Sequence, residues 1–67
     1  MEKLINEYHS KIGLIDMQIK NRERLIRDTR GNSEMLLENE IARTENKVFR
    51  SNRQLLVQVI KDIEDYA

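Results

Sequence analysis

Sixty-seven residues without a single cysteine allow one small domain and exclude disulfides and thiolate metal sites together. Twelve Lys and Arg balance twelve Asp and Glu, whereas a dedicated nucleic-acid binder carries a basic excess and a nucleic-acid mimic an acidic one. No apolar run approaches the roughly 20 residues that cross a bilayer, and residues 1–7 lack the basic-then-apolar order of a signal peptide, so the expected location is the cytoplasm.

Proline is absent and glycine occurs only twice, so little interrupts a helix. In the first half, Ile5, Tyr8, Ile12, Ile15, Ile19 and Ile26 recur at heptad spacing with Arg22 in the skipped place. That pattern predicts a helix over about 2–30. Gly13 lies inside it, at a cost of about 1 kcal/mol against alanine, and suggests a close helix approach. Asp28, Thr29, Arg30, Gly31, Asn32 and Ser33 follow. Gly31 suits the left-handed residue that closes a helix, Asn32 or Ser33 can accept from the free amides that open the next, and a turn is expected at 31–33. Arg27 and Arg30 before it, with Glu34 and Glu38 after it, complement the two helix dipoles.

The second half repeats the spacing with Leu37, Ile41, Thr44, Val48, Ser51 and Leu55, then drifts onto Leu56, Val59, Ile63 and Tyr66. It predicts a helix over about 34–66. Folding at Gly31 sets Ile26 opposite Leu37, Ile19 opposite Thr44, Ile15 opposite Val48 and Tyr8 opposite Leu55. The expected fold is all-α: a single antiparallel, coiled-coil-like two-helix hairpin spanning 1–67. A second apolar stripe remains, Leu14, Met17 and Leu25 on helix one, with Phe49, Leu56, Ile60 and Ile63 on helix two, and Tyr66 at the end. Two helices cannot enclose a core, so these eight residues are the expected oligomer or partner interface, and pairing of hairpins into a dimeric four-helix bundle would cover them.

The sequence offers little to chemistry. His9 beside Glu7 reads as a solvated pair, no Glu-x-x-His motif occurs on facing helices, and no nucleophile set or glycine-rich phosphate loop is present. Neither catalysis nor a cofactor or metal is expected. Basic residues Arg43, Lys47 and Arg50 follow one face of helix two with Arg53 nearby, and the four are candidate phosphate contacts, but acidic neighbours interrupt the basic stretches and no aromatics interleave for base stacking. Arg22, Thr44, Ser51 and Asn52, at or beside the seam, are the expected register-setting polar residues.

Leu4-Ile5-Asn6-Glu7-Tyr8, continued by Ile12, Ile15 and Ile19, resembles the opening hairpin of small phage and prophage proteins of Gram-positive bacteria. The resemblance implies a helical hairpin in a host cytoplasm. In some of those families the hairpin precedes a sigma-like DNA-binding unit, which has no counterpart here. Small aspartyl-phosphate phosphatases of sporulating bacteria are also helical hairpins, with a Ser-Gln-x-Leu-Asp signature. The nearest stretch here, Ser51-Asn52-Arg53-Gln54-Leu55, has leucine where the functional aspartate belongs. The resulting expectation is a self-associating interaction or regulatory protein that binds another protein through an apolar helical face. The alternative is an accessory nucleic-acid-binding or transcription-regulating protein that uses its arginine faces.

Overall fold

The computed structural model describes residues 2–66. Helix α1 runs Glu2–Thr29, a single 3₁₀ turn spans Ser33–Met35, and α2 runs Leu36–Tyr66. The two long helices fold back on each other as an antiparallel hairpin measuring 52 × 14 × 11 Å. Its radius of gyration of 15.4 Å exceeds the roughly 11 Å of a compact chain this long.

The reversal follows from local chemistry. Gly31 adopts φ 77°, a left-handed conformation in which a β-carbon would clash with the backbone. Asn32, in extended conformation, accepts from the Glu34 amide on its side-chain oxygen at 3.1 Å, the bond expected of an N-cap. The Arg30 amide donates to the Arg27 carbonyl, the Asn32 amide to Thr29, and the Met35 amide to Asn32. These short-range bonds end α1 one residue earlier than the sequence pattern suggests and start the second helix with a tight 3₁₀ turn.

On α1 the residues facing the partner helix are those the heptad names. Ile12 and Ile19 are each 8% exposed, and Ile5, Tyr8, Ile15, Arg22 and Ile26 are half-buried. Thr29 extends the same 3,4 ladder and is buried.

On α2 the structure overturns the expected seam. Leu37, Ile41, Val48 and Leu55 are 49–68% exposed, and Thr44 and Ser51 are exposed beside them. The inward ladder is instead Met35, Asn39, Ala42, Asn46, Phe49, Leu56, Ile60 and Ile63, with Arg53 completing its 4,3 rhythm. Within it Asn39, Ala42, Asn46 and Ile60 are buried. Two residues of an α-helix turn through about 200°. Thr44 stands two residues from both Ala42 and Asn46, so it points away from α1, and Leu37 and Ser51 are related to the inward ladder in the same way.

Cross-helix bonds fix the register. Asn39 donates from Nδ2 to the Thr29 hydroxyl at 2.9 Å and to the Ile26 carbonyl at 3.0 Å, while the Thr29 hydroxyl donates to the Leu25 carbonyl at 2.7 Å. A side chain of α2 thereby caps the C-terminal end of α1, where carbonyls lack helical partners. Further along, Arg22 meets Glu45 at 3.1 Å and Arg53 meets Asp16 at 2.6 Å. Ile26 comes level with Ala42 instead of Leu37, a shift of five positions from the expected register. That shift brings Ile60 and Ile63 alongside the start of α1, so Ile60 is only 6% exposed.

Gly13 is not a point of close approach: a β-carbon placed there meets nothing within 4 Å. Its cost is purely conformational. Gly13→Ala is expected to stabilise the hairpin by about 0.5–1 kcal/mol, read as a higher urea midpoint at unchanged slope.

Candidate interaction surface

The seam itself is polar where coiled coils are usually greasy. Arg22 lies half-buried with its guanidinium carbon 5.8 Å from the Phe49 ring centroid and one terminal nitrogen on Glu45. Its stem follows the seam and its charged head turns toward the edge, as its length permits. The Arg22 Nε and the Asn46 Oδ1 are buried without a hydrogen-bond partner. The register sets these two residues at the same level, one helix against the other. Such a layer costs stability and disfavours slipped pairings, in which a buried charge would face aliphatic side chains. The residues that set register are therefore Thr29, Asn39, Asn46 and Arg22. Of the expected set only Arg22 belongs; Thr44 and Ser51 face outward and Asn52 is exposed.

The eight residues expected to form an outer interface divide in two. Leu14 and Met17 are 63% and 61% exposed, Leu25 is 37% exposed, and Tyr66 is 92% exposed. Phe49, Leu56, Ile60 and Ile63 are buried or half-buried and belong to the ladder that faces α1. Their place on the outside is taken by Leu37, Ile41, Val48 and Leu55, which the sequence pattern had put inside. These four fall at intervals of 4, 7 and 7, with Thr44 and Ser51 in the gaps, and together form a continuous exposed heptad stripe along α2. Contiguous apolar surface of this kind marks an interface more often than isolated exposed residues do.

The candidate phosphate contacts also separate. Arg50 pairs with Glu23 across the hairpin and Arg53 with Asp16, so half of the basic group is neutralised by α1. Arg43 and Lys47 remain exposed, with no salt-bridge partner among the described residues. Two cations a helical turn apart give a weak electrostatic footprint beside the six to ten phosphate contacts of a typical specific binder.

His9 is exposed. Among the described residues no three His, Asp or Glu side chains gather as a metal site would require, and no helix is long and apolar enough to cross a membrane. Among the depressions on the surface are an open groove at the turn beside Thr29, Leu36 and Asn39 and another at the far end beside Val59, Ile63 and Tyr66. Comparison with protein-family models, with curated proteins and with solved structures finds no match to this chain, and the functional reading rests on its own geometry.

Proposed function

We propose that this chain is a small non-enzymatic interaction protein, one that self-associates and presents an apolar helical surface to another protein in a regulatory role. The observation that carries the reading is the exposed heptad stripe Leu37, Ile41, Val48 and Leu55. A heptad is the spacing by which one helix packs along another, and here α1 leaves it uncovered. Burial of each large side chain is worth roughly 1.5–3 kcal/mol, and a chain this small needs that contribution because two helices bury too little surface alone. Self-association through α2 leaves Leu14 and Met17, on the outward side of α1, for a different protein.

Sedimentation equilibrium tests the reading. The wild-type chain is expected to reach at least twice its 8.0 kDa mass with a clear dependence on concentration. The double variant Val48→Glu, Leu55→Glu is expected to remain monomeric over the same range. A wild-type chain that stays monomeric at several hundred micromolar would reject self-association, and equal masses for wild type and variant would reject this stripe as its site.

A further inference from the structure

We infer that the exposed stripe of α2 is covered by α2 of a second copy of this chain, running antiparallel, with the two-fold axis close to Asn46. The inference rests on the self-association proposed above and adds its geometry.

Area supports a second copy as the occupant. The hairpin exposes 5459 Å², whereas a folded monomer of 8.0 kDa exposes about 4,500 Å². The excess, about 1,000 Å², is comparable to the roughly 800 Å² that each partner contributes to a stable interface. The exposed stripe covers a long stretch of α2, with Leu37 and Leu55 at its ends, and 18 residues of helix span about 27 Å. That is long enough for five consecutive seam intervals.

The direction follows from side-chain size. Large residues Ile41, Val48 and Leu55 occupy one heptad position, while Leu37 is followed by the smaller Thr44 and Ser51 at the other. Antiparallel helices set one position against the other. With the axis near Asn46, Ile41 of one copy meets Ser51 of the other, Val48 meets Thr44, and Leu55 meets Leu37, so the small residues face large ones throughout. A parallel pair would stack Thr44 on Thr44 and Ser51 on Ser51, leaving thin layers between bulky ones.

The polar groups agree. The Thr44 hydroxyl already donates to the Glu40 carbonyl at 3.0 Å, so its methyl can be buried without stranding a donor. A parallel pair would bring Glu40 of each copy beside Glu45 of the other, two like-charge contacts. In the antiparallel pair Glu40 instead stands level with Asn52 of the other copy and Lys47 level with Glu45, with the two Lys47 side chains near the axis. The same pairing also brings the two Glu45 side chains toward the axis, and each of those is held by Arg22 of its own chain.

A spin label at one exposed site tests the arrangement without touching the stripe. The chain has no cysteine, so Lys61→Cys carries a single label, and Lys61 is exposed on α2. In the antiparallel pair the two labels stand 30 residues apart along the helix direction, about 45 Å, and double electron–electron resonance should show a distance distribution centred there. A distribution near 20 Å or below, in a sample of confirmed dimeric mass, would overturn the antiparallel assignment while leaving self-association intact. A clearly longer or shorter principal distance would move the axis away from Asn46 and overturn the register. Absence of any interspin distance together with a monomeric mass would remove the underlying proposal itself.

Discussion

Ile60→Asp is expected to abolish most of the helical signal at 222 nm, whereas Leu55→Asp keeps a helical spectrum. Both are large aliphatic residues near the end of α2, and sequence patterning alone would assign their roles the other way round. Ile60 is 6% exposed, pressed against the first turns of α1, while Leu55 is 63% exposed on the outer stripe. Removing a buried isoleucine side chain costs about 2–5 kcal/mol. Placing a carboxylate in the same space adds an unpaired buried charge, or the neutralisation of one, worth a few kcal/mol more. A two-helix chain has no reserve of that size. Leu55→Asp imposes no such penalty on the hairpin. Its expected effect is confined to association: a urea midpoint that no longer rises with protein concentration, as linkage to a dimer requires. The opposite pattern, with Leu55→Asp unfolding the chain and Ile60→Asp tolerated, would return α2 to the other register.

Asn39→Ala is the second informative change. Asn39 donates to both the Ile26 carbonyl and the Thr29 hydroxyl and is itself 6% exposed. Alanine would leave those acceptors at the end of α1 facing an apolar methyl, a loss of about 1–3 kcal/mol for stranded buried polar groups. The more diagnostic effect concerns uniqueness. Asn39 is the contact that ties this register of α2 to the C-terminal turn of α1. Amide hydrogen exchange at the C-terminal turn of α1 is therefore expected to quicken by more than exchange at Ile12 and Ile19, where packing of isoleucines remains. Uniform quickening along both helices would show that Asn39 contributes stability without directing register.

The outer and inner stripes of α2 explain why one helix was legible and the other was not. On α1 a single ladder carries the isoleucines, and its inward direction is unambiguous from spacing. On α2 two ladders of identical 4,3 rhythm run side by side. The outer one holds Leu37, Ile41, Val48 and Leu55; the inner one holds Asn39, Ala42 and Asn46 in its first half. A hydrophobicity criterion chooses the outer ladder, because the inner one carries polar and small residues at its core positions. Those same residues are what the hairpin needs. Ala42, fully buried, takes up little room beside Ile26, and Asn39 finishes α1. The signal available in sequence was the continuity of the inner ladder from Met35 to Ile63, nine positions against the six of its competitor.

Local chemistry, then, was determined by the chain alone. The absence of proline, the heptad on α1, and Gly31 followed by Asn32 established two helices and their reversal point. Each of those features acts over a few neighbouring residues, so spacing and residue type suffice to read it. Which side of α2 turns inward depends on groups far apart in sequence: a donor on Asn39 reaching a carbonyl thirteen positions away, a guanidinium laid against Phe49, and ion pairs between Arg22 and Glu45 and between Asp16 and Arg53. Periodicity is the same for either stripe, and only the tertiary pairing of polar groups breaks the tie, because a buried hydrogen-bonding group tolerates far fewer positions than an aliphatic side chain does.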